Sequence, residues 1–195
     1  MNKESKQTKS TPKAYIFAGV NGAGKTTLYY NKLECGWHFG LRINIDEIVS
    51  SFGDWREAKD QFRASKIALK IRTDYIAQKQ NFNQETTLCG KGIIKLFHTL
   101  HKAGYEIYLY YVVIDSIALA KERVAIRVKK GGHNIAPYLV EKRYKESLQN
   151  LKKVAPLCTQ IEIFDNSQNV PQNTAKNTNV FMKINDLTYI DFLLA

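Results

Sequence analysis

Ala14-Tyr15-Ile16-Phe17-Ala18 runs without interruption into Gly19-Val20-Asn21-Gly22-Ala23-Gly24-Lys25-Thr26-Thr27, an apolar strand followed by a complete G-x-x-x-x-G-K-[ST] loop. The chemistry of that order is specific. Gly19, Gly22 and Gly24 let the loop bend so that backbone N–H groups from Asn21, Ala23 and on to Thr27 close around phosphate oxygens. The helix that follows points its positive end at the same oxygens. Lys25 would reach the β and γ phosphates, and the Thr26 hydroxyl would be offered to Mg²⁺. A chance Gly-rich turn need not meet every fixed position in a strand-loop-helix context, and this one does. The phosphates of a nucleotide are the expected ligand.

The whole chain, 195 residues, suits one α/β domain with a real core. Residues 1–13 are polar and Lys-containing and read as a disordered basic leader, leaving 14–195 as a single domain. No apolar stretch approaches the length of a bilayer span and the N-terminus has no apolar signal core, so a cytoplasmic protein is expected. Cys35, Cys89 and Cys158 are odd in number and widely separated, which suggests neither disulfides nor a zinc site. The net charge of +11 raises a nucleic-acid reading. The excess is local, however: ten Lys and Arg face three Glu between Lys121 and Lys153, and no nucleic-acid motif accompanies them.

The apolar patterning alternates strands with helices. A helix over about Lys25–Leu33 follows the loop, then a strand Leu41–Ile45, with Asp46 placed to start a helix. Asp54 reads as the N-cap of a long helix reaching about Gln80. Asn81–Thr87 reads as a short strand, Lys91–Ala103 as an amphipathic helix closed by Gly104, and Tyr105–Ile114 as a central strand covered on both faces. Helices are expected over Ser116–Lys130 and about Pro137–Val154, and final strands over Ile161–Phe164 and Val180–Ile184. The pattern predicts a three-layer α/β P-loop NTPase fold of kinase-like type, with a mostly parallel central sheet and a helical lid over about 121–146.

In a parallel sheet the C-terminal strand ends share one edge, which brings Asn44, Asp46 and the triplet Glu85-Thr86-Thr87 toward Lys25. Asp46 is the candidate base for an acceptor hydroxyl, or else a helix cap. Glu85 and Thr86 could hold a polar acceptor or simply face water. Asp115 could help hold Mg²⁺ or cap the next helix. Arg123 and Arg127, one helical turn apart, and Arg143 beyond the Gly131-Gly132 joint could grip phosphates from a closing lid. His133 could be a hinge residue, a substrate contact or merely exposed.

These residues together resemble the zeta toxins and related small P-loop kinases, including UDP-N-acetylglucosamine kinases. The likeness rests on Ala18–Thr27, Asn44-Ile45-Asp46-Glu47, Glu85-Thr86-Thr87, Gly104-Tyr105, Arg123-Val124, Arg127-Val128, Gly131-Gly132-His133, Arg143-Tyr144, Ser147-Leu148 and Asp165-Asn166-Ser167. The resemblance implies transfer of the ATP γ-phosphate to a hydroxyl of a UDP-amino sugar. By it, Asp46 matches the acceptor-activating aspartate, Glu85 with Thr86 falls where the sugar is held, and Arg127 and Arg143 fall among the lid arginines. Lys25 and Thr26 take the nucleotide and Mg²⁺ roles. The resemblance also implies that the chain could act as a zeta-type toxin with a separate antitoxin protein as partner, although no antitoxin segment is visible in it. Three alternatives stay open: the same machinery acting on an antibiotic or nucleoside, a nucleic-acid-binding ATPase, and a module that only senses nucleotide.

Overall fold

The computed structural model describes residues 10–132, 134–168 and 182–184, the last three by backbone alone. Five strands lie parallel: β1 (Lys13–Ala18), β2 (Leu41–Ile43), β3 (Phe82–Thr86), β4 (Glu106–Val113) and β5 (Gln160–Asp165), in the spatial order β2-β3-β1-β4-β5. A sixth, β6 (Met182–Ile184), pairs antiparallel with β5 at the edge. β1 and β4 form the middle of the sheet because they carry the longest apolar runs, and Leu109 to Val113 are all buried. Their register sets aromatic side chains in pairs. Tyr15 stands beside Tyr108 and Phe17 beside Tyr110, with ring centroids 5.2 and 4.9 Å apart.

The helices are α1 (Lys25–Glu34), α2 (Ile45–Ser50), α3 (Ala58–Ala77), α4 (Lys91–Lys102), α5 (Ile117–Lys129) and α6 (Pro137–Val154). Residues of α6 join the core along its length through Val140, Tyr144, Leu148, Leu151 and Val154, each apolar side chain worth roughly 1.5–3 kcal/mol when fully buried. Polar contacts fix its rotation. Tyr144 Oη donates to the Ile114 carbonyl at 2.7 Å, Tyr111 Oη and Ser147 Oγ are 2.8 Å apart, and Asn150 Nδ2 donates to the Leu88 carbonyl at 2.9 Å. The helix bearing Arg143 is therefore anchored to the C-terminal edge of the sheet, beside the phosphate loop.

Several boundaries differ from expectation, each for a local reason. The second strand stops at Ile43 because Asn44 turns the chain and caps α2. The long helix begins at Ala58, not after Asp54. The Asp54 carboxylate instead accepts from the Arg56 N–H at 2.9 Å, holding Asp54–Arg56 in an Asx turn. Lys13 already belongs to β1 and the Pro12 carbonyl accepts from Glu106 N–H, so the ordered sheet reaches into the segment expected to be a leader. Residues 1–9 of that leader, His133, and Val180 and Phe181 of the last expected strand lie outside the described residues. Among the described residues no helix is long and apolar enough to cross a membrane.

Candidate active site

The phosphate loop is shaped by contacts that exclude side chains. Gly19 has φ 139°, and a methyl group there would stand 2.2 Å from the Val112 carbonyl oxygen. Gly24, at φ 100°, is the N-cap of α1 and supplies no side-chain cap. The first-turn N–H groups of α1 thus face the loop rather than a capping oxygen. From the far side Asn166, at the end of β5, braces the cradle: its Nδ2 donates to the Ala23 carbonyl at 2.7 Å and its N–H to the Val113 carbonyl. That gives a place to Asn166 of the Asp165-Asn166-Ser167 stretch, whose role the sequence left open.

Lys25 Nζ donates to the Val20 carbonyl at 3.1 Å. Burial lowers the ammonium pKa to about 8, and Arg127 pushes it the same way, while the Glu85 and Asp46 carboxylates oppose the fall. Next to it Thr26 Oγ1 donates to Glu85 Oε2 at 2.8 Å. The other Glu85 oxygen accepts from Arg42 Nη2 at 2.5 Å and from Asn44 Nδ2 at 3.4 Å. Arg42 also bonds Glu47 and Asn83, and its guanidinium lies 3.7 Å from the Tyr29 ring centroid. Desolvation would depress the Arg42 pKa, but the hydrogen bonds to Glu47 and Glu85 outweigh it and hold it above the ordinary value.

Asp46 sits in the first turn of α2 and is exposed. It does not cap the helix: Asn44 Oδ1 accepts from the Asp46 N–H at 2.9 Å and does that work itself. The same cavity, of about 350 Å³, is lined by Asn21, Lys25, Thr26, Asn44, Asp46, Glu85, Thr86, Arg127 and Arg143, joined by Gln61 and Ser65 from α3. A neighbouring cleft of about 260 Å³ is lined by Gly22, Gly24, Lys25, Thr26, Thr27, Arg123, Arg127 and Asn166. Lys25, Thr26 and Arg127 line both, so two compartments meet at the residues suited to handle a phosphoryl group. Thr86 is partly committed to the backbone, since its hydroxyl accepts from the Leu88 N–H at 3.0 Å and supports Leu88 at φ 60°.

The three arginines expected in a lid divide by position. Arg143 Nη1 donates to Asn21 Oδ1 at 3.0 Å and so touches the phosphate loop directly. Arg127 is held from behind by the Gly-Gly joint, where Gly132 N–H donates to the Arg127 carbonyl and a methyl group on Gly132 would stand 2.6 Å from Arg127 Cγ. Arg123 lines only the loop-side cleft, and burial lowers its pKa. Asp115 lines neither compartment. Nor does it cap α5, because Ser116 accepts from the Leu119 N–H, and Asp115 donates its own N–H to Ser167 Oγ. Arg42, Gln61 and Ser65 were not singled out from sequence. For Arg42 the signal was a cation inside the alternating strand Leu41–Ile43, and for Gln61 and Ser65 it was a polar pair one turn apart on a long helix.

Comparison with known proteins bears on the family and the fold. A family model described as zeta toxin matches residues 1–177. An uncharacterized protein of Haemophilus influenzae is 30% identical over 132 residues, which is 68% of this chain and 92% of that protein. A solved structure from the PezAT chromosomal toxin-antitoxin system of Streptococcus pneumoniae superposes with a TM-score of 0.60 at 17% identity, over 90% of this chain and 78% of that one. The AvrRxo1-ORF1:-ORF2 complex with ATP gives 0.69 at 14% identity, over 96% of this chain and 64% of that one. At such identities these two structures speak to the fold.

Proposed function

Because this chain belongs to the zeta toxin family, and is with it an ATP-dependent kinase, we propose that it transfers the ATP γ-phosphate to a hydroxyl of a nucleotide sugar, with UDP-N-acetylglucosamine the first candidate. One observation carries the proposal: Asp46, relieved of capping by Asn44, lines the same cavity as Lys25, Arg127 and Arg143. The acceptor would occupy the cavity between α2, α3 and the lid, and ATP the cleft over the phosphate loop. An acceptor hydroxyl gives its proton to Asp46 as its oxygen bonds to the γ-phosphorus, and the bond to ADP breaks. Lys25, Arg127 and Arg143 offset the charge on the moving group and hold it in line.

Thr26 suits Mg²⁺. Its hydroxyl has one hydrogen, already given to Glu85, and keeps oxygen lone pairs for a hard cation. A Mg²⁺ held there would supply positive charge against the phosphates during transfer. Glu85 keeps the hydroxyl turned for that contact. A separate antitoxin protein is the proposed partner, in keeping with the toxin-antitoxin system of the pneumococcal neighbour.

Asp46→Asn tests the assignment. Transfer of labelled phosphate from ATP should fall by about 10²–10⁴-fold while ATP affinity changes little. Near-normal transfer by the variant would remove Asp46 as base. A panel of nucleotide sugars, nucleosides and antibiotics offered to the wild type decides the acceptor, and a strong preference for a nucleoside or antibiotic would displace the nucleotide sugar.

A further inference from the structure

The long helix α3 has two faces, and the catalytic cavity takes up only one of them. Ala64 and Ala68 are buried, and Gln61 and Ser65 line the cavity. The opposite face is just as regular. At about 100° per residue, Lys59, Phe62, Arg63, Lys66, Leu69 and Lys70 fall within an arc of about 120° on the side away from Ala64 and Ala68, and all six are exposed. Phe62 and Leu69 are 63% and 51% exposed, well beyond what an apolar side chain needs in order to cover a core.

The charge of this stripe is not met within the chain. Among the described residues none of Lys59, Arg63, Lys66 and Lys70 forms an ion pair. Lys66 Nζ instead stands 4.3 Å from the Phe62 ring centroid, and the Arg63 guanidinium 4.6 Å from that of Phe52. The acids of α3 are Asp60, whose carboxylate accepts from the Asp54 N–H, and Asp74, in the last turn beyond Lys70. Neither interrupts the stripe.

Its spacing says what shape would cover it. The cations recur at intervals of four, three and four residues, and the two apolar side chains are seven apart, the repeat by which one helix meets another along a seam. Four positive charges on such a seam call for acids across it, and Phe62 and Leu69 call for apolar side chains between those acids. A nucleic acid would satisfy the cations and leave Leu69 without a partner. Two apolar side chains are also too few for the broad apolar face of a helix that lies in a membrane surface. A second copy of this chain does not fit either, because α1, α4, α5 and α6 all carry more Lys and Arg than acid, and α2 has only six residues.

We propose that the outer face of α3 docks an acidic α-helix of a second protein, with apolar side chains of that helix seated on Phe62 and Leu69 and its carboxylates against Lys59, Arg63, Lys66 and Lys70. The partner lies on the far side of α3 from Gln61 and Ser65, so it covers neither the phosphate loop nor Asp46.

The test uses the full chain and a fluorescent helical peptide of about three heptads, with Leu at its core positions and Glu beside them. The controls are a scrambled peptide of the same composition, a twin with Lys in place of Glu, and a single-stranded RNA. Anisotropy at physiological salt should give a Kd of about 1–100 µM for the Glu peptide and a value at least about 10-fold weaker for the scrambled one. Phe62→Ser combined with Leu69→Ser leaves the charge unchanged and should weaken the Glu peptide about 10-fold or more. Lys59→Glu combined with Lys66→Glu should abolish its binding and gain binding of the Lys twin, a reversal that general attraction to a chain of net charge +11 cannot produce. All four positions are exposed, so Tm should stay within about 3 °C of the wild type and ATP affinity should be unchanged. No binding of the Glu peptide by the wild type, equal binding of the ordered and scrambled peptides, or full binding by the Phe62→Ser, Leu69→Ser variant would each overturn the docking surface. Tighter binding of the RNA than of the peptide, lost in Lys59→Glu with Lys66→Glu, would overturn it in favour of a nucleic-acid surface.

Discussion

Replacing Arg42 with methionine should expose how much of this site is held by one guanidinium. Arg42 Nη2 and Glu85 Oε1 are 2.5 Å apart, with side chains only 15% and 11% exposed. Removing the cation leaves Glu85 as a nearly buried carboxylate without its main counter-charge, a change that costs about 3–5 kcal/mol in comparable pairs. The Arg42–Glu47 contact adds little, since Glu47 is 48% exposed and such pairs are worth about 0–1 kcal/mol. Loss of the guanidinium over Tyr29 removes about 1 kcal/mol, and the methionine chain recovers part of it by packing on the ring. A net loss of about 3–4 kcal/mol follows, or roughly 10 °C in Tm for a domain of this size.

The assay is urea unfolding of wild type, Arg42→Met, Glu85→Gln and the double variant, with the m-value checked for constancy. Because the penalty comes from a stranded charge, the double variant should regain about 2 kcal/mol over Arg42→Met alone. A loss below about 1 kcal/mol in Arg42→Met, or a double variant no more stable than that single one, would refute the electrostatic account. Transfer should fall in Arg42→Met as well, since Glu85 no longer holds the Thr26 hydroxyl in one orientation.

Lys25→Met should stabilise the protein while abolishing transfer. The lysine pKa falls from 10.5 to about 8 on folding, so below pH 8 the native state carries the ammonium at a cost of about 3 kcal/mol. Between pH 8 and 10.5 the unfolded chain binds the extra proton, and this group's contribution to stability rises with pH. Paired melts should find the variant about 2–3 kcal/mol more stable at pH 7, with the gap narrowing toward pH 10; a variant less stable at pH 7 contradicts the burial argument. Gly19→Ala should cost about 3 kcal/mol or more in denaturant unfolding, from a strained φ and the 2.2 Å approach to Val112. An ATP titration should show weaker binding, and a near-neutral result in both measurements would mean that the loop tolerates a side chain there.

The sheet is legible in the sequence because its strands repeat one physical theme, apolar runs ended by a polar residue at the site. Tyr105–Ile114 is so uniformly apolar that only a strand covered on both faces suits it, and β4 occupies the centre of the sheet. Helix ends are harder. Asn44, Asp46, Asp54 and Ser116 are all residues that cap, and which one does so depends on φ and ψ that sequence does not state: Asn44 and Ser116 cap, whereas Asp54 closes an Asx turn. The pairing of Arg42 with Glu85 depends on register between β2 and β3, since Arg42 lies opposite Asn83 and so two residues from Glu85. Nothing within either segment announces it.

That register also explains the division of labour between the two carboxylates on the sheet edge. Glu85 is committed on both oxygens, to Thr26 on one side and to Arg42 and Asn44 on the other. A carboxylate so occupied has both oxygens turned to partners within the protein, so an acceptor hydroxyl could reach it only by displacing Thr26 or Arg42. No hydrogen bond to the Asp46 carboxylate occurs among the described residues, and its one local duty, capping, is performed by Asn44. The two acids could have been exchanged on composition alone. Hydrogen-bond accounting separates them: Glu85 fixes the threonine proposed to face the metal and the phosphates, and Asp46 is left able to receive the acceptor's proton. The single asparagine between them serves both, giving Oδ1 to the α2 cap and Nδ2 to Glu85, so Asn44→Ala should disturb the two carboxylates together.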